Sequence, residues 1–192
     1  MFHCYDDAAR VPGLLTDQVW MARALLHGYQ YTGRADYLDQ AEALMKECVY
    51  PLYADPSGAG YLDCIVDADA IGRLQEGQKN INENALVAEV STLLFRLTGD
   101  EIYRQGAESA LYAFGQGYRT YGYFAARFAL AVDRALRPYV AIVVAGVSEE
   151  PHTQQLLQAS LGVYVPNRLI QLIDPVWERD KLEQMGLPAA EI

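Results

Sequence analysis

Four acidic residues have the types and spacing that could carry out catalysis. Asp63, Asp67 and Asp69 follow a turn-rich segment, and Glu83 comes soon after them. Pairs of carboxylates held several ångströms apart perform the acid and base steps of glycoside hydrolysis. Solvated loop acids in an acidic protein are the alternative interpretation, and both remain open.

Asp17 is a further candidate acid, because it lies early in a predicted helix. A carboxylate in the first turn is a favourable partner for the helix dipole, which explains Asp17 without any chemistry. If the protein is an enzyme, Asp17 and Glu83 are the acid and base candidates, with Asp63 beside them.

Aromatic residues could supply binding surfaces around these acids. The chain has 14 tyrosines, and Tyr61 and Tyr121 are among those in or beside predicted loops. Flat rings there could stack on sugars, or they could anchor a protein interface. The three histidines are far apart in sequence and show no ligand spacing. No phosphate-loop or dinucleotide motif is present, so we expect no metal and no cofactor.

Composition excludes several classes of function. The 192 residues include 25 acidic and 15 basic side chains, which gives a net charge of −10. Such a surface repels nucleic acid. The longest apolar run, residues 139–147, is too short to cross a bilayer. The amino end does not resemble a secretory signal, and the three widely spaced cysteines favour reduced thiols, so a cytoplasmic location is predicted.

Apolar periodicity and capping residues predict the elements that position these side chains. Thr16, Asn82 and Asp100 are the predicted helix caps, and Pro51 is expected to end the second helix. Residues 49–79 are predicted to be a loop with a short hairpin. The predicted helices cover 17–32, 34–50, 83–97, 101–115, 120–136, 151–160 and 176–185, and the predicted strands cover 139–145 and 168–173.

A repeat relates the first four helices. Thr32 and Thr98 are 66 residues apart (98 − 32), and the same offset aligns a Gly, a Tyr, an Ala and a Glu. Each copy is typical of an αα-hairpin whose Gly permits the positive φ at the corner. Stacked hairpins bury their faces against further hairpins. The sequence therefore predicts a mainly α protein with about two and a half helical hairpins over 1–137 and a small β-α-β element over 138–192.

The segments "YTGRADYLDQAEAL", "GAGYLDC", "NINENALVAEVSTLLFRLTGDEIYRQGAESAL" and "YVAIVVAG" resemble a known family. They are similar to the carboxy-terminal region of thioredoxin-domain-containing proteins of the DUF255 type, over residues 3–175. The resemblance implies a partial α/α toroid similar to six-hairpin glycosidases and N-acylglucosamine 2-epimerases. It also implies that Asp17 opens a helix that points toward the ring's centre.

Two departures from the family limit what the resemblance implies. The thioredoxin-like domain is missing, so redox activity is not inferred. The segment "KNINEN" stands where the family has a Pro-Ser-Gly-Asn-like turn, and only Asn82 or Asn84 keeps its character. Asn82 is therefore the third predicted substrate-binding residue.

Two functions follow from this reading. The first is a non-catalytic interaction or assembly subunit that completes its helical layer by self-association or with a partner protein, because exposed apolar helix faces are rarely left in water. The alternative is a carbohydrate-active or sugar-binding protein, glycosidase-like or epimerase-like, that uses its carboxylates in an aromatic-lined cleft.

Overall fold

Helices make up most of the computed structural model, which describes residues 1–66, 69, 71, 75–176 and 178. The mainly α prediction is confirmed. In chain order, the elements are β1 (Phe2–Asp6), β2 (Ala8–Pro12), α1 (Leu15–Thr32), α2 (Ala35–Ala43), a π-helical segment (Leu44–Val49), α3 (Tyr50–Tyr53), α4 (Ile81–Thr98), α5 (Glu101–Tyr112), a 3₁₀ segment (Tyr118–Ala125), α6 (Ala126–Leu136), β3 (Val140–Ala145), α7 (Pro151–Gly162) and β4 (Arg168–Ile173).

The two predicted hairpins have matching corners. Helices α1 and α4 are both 18 residues long and end at Gly33 and Gly99, whose φ is 73° in each case. The preceding threonines also act alike. Thr32 donates its hydroxyl to the Gly28 carbonyl at 2.7 Å, and Thr98 donates to the Leu94 carbonyl at 2.9 Å. Because the left-handed corner requires glycine, the repeat in sequence is a repeat in backbone geometry.

Helix α4 lies at the centre of the main core. It packs against α1, α5 and α6, and residues 84–92 are all buried. Leu86 and Leu94 are among its fully buried side chains. Burying a leucine contributes roughly 1.5–3 kcal/mol relative to exposure. Helix α4 therefore holds the neighbouring helices in place and fixes the positions of the residues at their ends.

The second helix of the first hairpin does not stop where the sequence predicts. Pro51 was expected to end it, but the chain passes through the π-helical segment and continues as α3 to Tyr53. Pro51 lies just after the π-helical segment, where the hydrogen-bond spacing of the helix changes, so the missing N–H falls at this change of spacing. The π-helical segment aims the Tyr50 hydroxyl at Ser91 Oγ, 2.8 Å away.

Two other helix starts also differ from prediction. Leu14, not Thr16, occupies the cap position of α1, and the Leu15 amide donates to the Asp63 carbonyl at 2.9 Å. The predicted helix from residue 120 begins instead as the 3₁₀ segment. Gly122 interrupts that segment with a φ of 56° and a ψ of −130°, and regular helix starts only at α6.

The amino end forms a hairpin that the sequence did not predict. Strands β1 and β2 pair antiparallel, with Asp6 opposite Ala8. Asp7 makes the turn with a φ of 53°. The hairpin places His3 beside the start of α1, because His3 Nδ1 lies 3.0 Å from Asp17 Oδ1.

The carboxy-terminal element has the predicted β-α-β order. Strands β3 and β4 pair in parallel from Val140 opposite Arg168 to Ala145 opposite Ile173, and α7 crosses between them. Strand β4 is almost wholly buried and packs against α1 and α4. Apart from residues 176 and 178, the predicted helix over 176–185 lies outside the described residues.

Candidate functional site

The predicted acids gather at the end of the bundle where α1 and α4 begin. Asp17 and Glu83 are each the third residue of their helix, and they are 66 residues apart (83 − 17), so they are equivalent positions of the repeat. Asp63 joins them from the loop. Its carbonyl receives the Leu15 amide, and its carboxylate accepts the Gln78 amide at 2.7 Å.

Glu83 has the most unusual carboxyl group of the three. Burial, and then the charges of Asp63 and Asp17, raise its pKa to about 7. Its Oε2 atom is shielded from solvent and makes no hydrogen bond to another described residue. A carboxyl with this pKa retains a proton near neutral pH, which is the property required of a general acid.

Asp17 has a partner that sequence reasoning missed. His3 Nδ1 lies 3.0 Å from Oδ1 and 3.2 Å from Oδ2 of Asp17. His3 lies in β1, and nothing in the sequence predicted that strand or its position over α1. The contact gives Asp17 a titratable neighbour in addition to the helix dipole.

Tyr61 lies in the core and not at the surface of a cleft. It is 4% exposed, and its ring centre is 6.0 Å from that of Tyr50. Burial raises the pKa of its phenol. The buried Asn84 side chain holds the Tyr61 backbone, accepting its amide at 2.8 Å and donating to its carbonyl at 2.9 Å. The ring is therefore closed to stacking on a ligand, and Asn84 is a structural clamp for the loop.

The remaining predicted residues are divided between the surface and the undescribed part of the chain. Asn82 is exposed in the first turn of α4, and Asn80, not Asn82, caps the helix by accepting the Asn82 amide at 2.9 Å. Tyr121 is 40% exposed and packs edge-to-face on Phe114, with ring centres 5.9 Å apart. Asp69 is not among the charges that shift the pKa of Glu83, and Asp67 lies outside the described residues.

A second feature is an apolar groove of about 880 Å³ between α5 and α6. Its floor includes Phe128, which stacks on Tyr118 with ring centres 5.6 Å apart. Tyr112 and Leu136 stand on its rim and are 77% and 81% exposed. Large exposed apolar side chains beside a groove are typical of an interaction surface.

Neither feature is a metal centre or a membrane element in the part of the chain that the structure describes. No group of three or more His, Cys, Asp or Glu residues is placed there to hold a metal ion. No helix there has the length and apolar character to span a bilayer.

Fold and site together define a mainly α protein built on helical hairpins, with a small parallel α/β element and an acid cluster at the helix starts. Among known proteins, the chain is similar to spermatogenesis-associated protein 20 of Mus musculus, at 26% identity over 166 residues and 84% of this chain. The Rattus norvegicus protein of that name is 25% identical over the same length. The chain spans only 21% of the length of either relative. No family model matches the sequence.

Proposed function

We propose that this chain is a non-catalytic assembly subunit, part of an α/α toroid in the cytoplasm, whose helical layer is completed by a second copy of itself. The observation that carries the proposal is the groove between α5 and α6. In the first two hairpins, α2 packs along α1 and α5 packs along α4. Within the described ranges no helix returns along α6, so the place that such a helix would fill is an apolar groove.

The groove carries both parts of a self-complementary contact. Its hollow accepts apolar side chains, and Tyr112 and Leu136 project from its rim. Two copies related by a two-fold axis would each insert these side chains into the hollow of the other, as in other isologous interfaces. A stable interface of this kind buries roughly 1,200–2,000 Å² in total.

Light scattering coupled to size-exclusion chromatography tests the proposal over a range of protein concentrations. We expect a dimer, and we expect Leu136→Glu to dissociate it. Leu156→Glu is the matched control, because Leu156 is 59% exposed on α7, away from the groove. A wild-type monomer at all concentrations would exclude self-association, and a dimer that tolerates the Leu136 change would exclude the groove as its interface.

Glu83 supports a second candidate function, which is acid-base chemistry on a carbohydrate. A carboxyl with a pKa of about 7 beside two further carboxylates is the combination that glycoside hydrolysis uses. In this candidate Glu83 is the acid and Asp17 the base. This candidate predicts a catalytic activity that falls as pH rises through 7, because only the protonated form of Glu83 can donate the proton.

A panel of sugars and glycosides tests this candidate, with hydrolysis followed by reducing-sugar release and isomerisation by proton NMR. Glu83→Gln should abolish turnover, whereas Glu108→Gln should leave it unchanged, because Glu108 is exposed on α5 and pairs with Arg104. Turnover that survives in the Glu83 variant would exclude this mechanism.

A further inference from the structure

We propose that a pocket between α1, α4 and α6 binds the phosphate group of a small phosphorylated molecule. The pocket has a volume of about 460 Å³, and residues of the β-α-β element close one side of it. It lies on the other side of α6 from the groove, so the inference is independent of the proposed assembly. The polar and charged residues that line it include Arg23, His27, Thr92, Glu89 and Arg134.

Three arginines surround one buried carboxylate, and Arg23 and Arg134 line the pocket together with that carboxylate. The Glu89 side chain is 7% exposed, and its Oε2 atom lies 3.4 Å from Arg134, 3.8 Å from Arg23 and 3.9 Å from Arg127. One carboxylate neutralises one of the three guanidinium charges, so the cluster keeps a formal charge of +2 (3 − 1). That local excess is notable in a chain with a net charge of −10.

The guanidinium groups of these three arginines still have donors to offer. Charge-assisted hydrogen bonds between nitrogen and oxygen are usually about 2.7–2.9 Å long. The three contacts to Glu89 are longer, and Oε2 accepts no hydrogen bond from another described residue. Trp20 lies between two of the arginines, with its ring centre 5.1 Å from the Arg23 guanidinium carbon and 5.0 Å from that of Arg127. The stacking holds the groups in place without using their N–H donors.

Other arginines at the pocket are engaged with the protein itself. Arg96 donates to Asn167 Oδ1 at 2.7 Å and to the Arg134 carbonyl. Arg168 donates to the Ser160 and Val163 carbonyls. Arg96 thus fastens the β-α-β element to α4, and Arg168 braces that element internally, whereas the guanidinium groups of Arg23, Arg127 and Arg134 make no hydrogen bond to other described residues. The structure thus separates architectural arginines from ligand-ready ones.

The electrostatics of the neighbouring histidine agree with this assignment. Burial, and then the positive charges of Arg23 and Arg134, lower the pKa of His27, with Glu89 opposing them. The positive potential therefore extends into the pocket. A phosphomonoester carries close to two negative charges at neutral pH, which matches the excess of +2, and guanidinium forks suit its oxygens. The volume of the pocket leaves room for a small polar molecule attached to the phosphate.

Isothermal titration calorimetry with glucose 6-phosphate, inorganic phosphate and unphosphorylated glucose tests the proposal, with ionic strength held constant by sodium chloride. We expect both phosphates to bind and glucose not to bind at this site. Tighter binding of the sugar phosphate would identify an ester as the ligand, and equal binding would identify phosphate alone. We expect affinity to fall at least tenfold in Arg23→Gln and in Arg134→Gln, and to fall with added salt.

Arg104→Gln is the matched control, because Arg104 is an exposed arginine on α5 that pairs with Glu101 and Glu108. The affinity of this variant for the two phosphates should stay within twofold of that of the wild type. Circular dichroism of each variant separates loss of binding from loss of fold, and Arg134→Lys, which keeps the charge, should recover part of the affinity. Absence of phosphate binding to the wild type would overturn the proposal, as would binding that is unchanged in the folded Arg23 and Arg134 variants.

Discussion

The two helical hairpins, α1–α2 and α4–α5, have nearly identical corners and different surroundings. Each corner has a glycine with a φ of 73° that donates its amide to a carbonyl four residues earlier, at 2.7 Å for Gly33 and 2.8 Å for Gly99. The tyrosine four residues after each glycine differs. Tyr37 is half-buried and lies under the Arg34 guanidinium, whereas Tyr103 is fully buried.

The difference follows from position in the stack. Tyr103 packs against the first hairpin, where its hydroxyl donates to Glu42 Oε1 at 2.7 Å and its ring lies 6.2 Å from Tyr50. Tyr37 packs on Gly28 of its own hairpin. Local sequence thus sets the corner, and the neighbouring hairpin sets how much each corner residue contributes to stability. Matched substitutions at equivalent positions measure that contribution.

The largest expected contrast is between Tyr103→Ala and Tyr37→Ala. Removing a fully buried aromatic side chain costs about 3–5 kcal/mol, because it leaves a cavity. Removing the half-buried Tyr37 side chain should cost about 1–2 kcal/mol, since less buried area is lost. Urea unfolding with a fitted m-value for each variant measures both. Equal losses would contradict the conclusion that the neighbouring hairpin sets how much each corner tyrosine contributes to stability.

The corner glycines should rank next. Gly99→Ala should lower the free energy of unfolding by about 1–2 kcal/mol, the cost of placing alanine in a left-handed conformation. No steric cost is added, because the new Cβ meets no atom within 4 Å. An alanine Cβ at Gly33 would also come 2.9 Å from Leu172 Cβ in β4. We therefore expect Gly33→Ala to cost about 2 kcal/mol more than Gly99→Ala, the typical cost of overpacking. Thermal unfolding of the pair checks the order, and the reverse order would contradict the observed packing.

Glu83 and Asp17 provide a comparison at the two helix starts. The pKa of Glu83 is raised to about 7 from an unfolded value of 4.5, so the folded state binds the extra proton between these pH values. Its contribution to stability is therefore fully present below about pH 4.5 and is lost as pH rises through 7. The free energy of unfolding of Glu83→Gln, measured relative to that of wild type, should therefore increase by about 2 kcal/mol between pH 4.5 and 8, after allowance for partial exposure.

Denaturant unfolding at several pH values measures this gain. Asp17→Asn is the informative companion, because removing the Asp17 charge should move the Glu83 transition to lower pH without abolishing it. A Glu83→Gln curve parallel to that of wild type would mean that Glu83 titrates normally.

The smallest contrast is between the two hydroxyl deletions. Tyr103→Phe removes the bond to Glu42 and should cost about 1.5 kcal/mol. Tyr37→Phe keeps the ring under Arg34 and should change stability by less than about 0.5 kcal/mol. Differential scanning calorimetry resolves this gap, and a cost at Tyr37 equal to that at Tyr103 would contradict the assignment.

Periodicity and capping chemistry predicted the parts of this fold that depend on local rules. The hairpin corners and the β-α-β order follow from glycines, prolines and apolar spacing close in sequence. The β1–β2 hairpin was missed because its turn is made by Asp7, a non-glycine residue with a φ of 53°, and the π-helical segment was missed because local periodicity does not distinguish it from α-helix. The switch from 3₁₀ to α-helix before α6 depends on Gly122, whose φ the sequence alone did not reveal.

The candidate site shows the same division. Asp17 was predicted because it lies early in a helix, and Asp63 and Glu83 were predicted because they belong to a cluster of acids that follows a turn-rich segment. Arg23, Glu89 and Arg134 were not, since each looks like an ordinary charged residue on a helix and only packing of α1, α4 and α6 brings them together. Tyr61 was misjudged because its position in a loop suggested exposure, whereas Asn84 draws that loop into the core.

The π-helical segment over Leu44–Val49 amounts to one surplus residue in a helical turn. If the same residues wound as an ordinary α-helix instead, everything downstream would be rotated by roughly 100° about the helix axis. Tyr50 would then swing away from Ser91 and from Gly106, whose missing side chain makes room for the Tyr50 ring. The wide turn of the π-helical segment thus keeps the Tyr50 ring against α4 and α5 although the chain carries an extra residue before it.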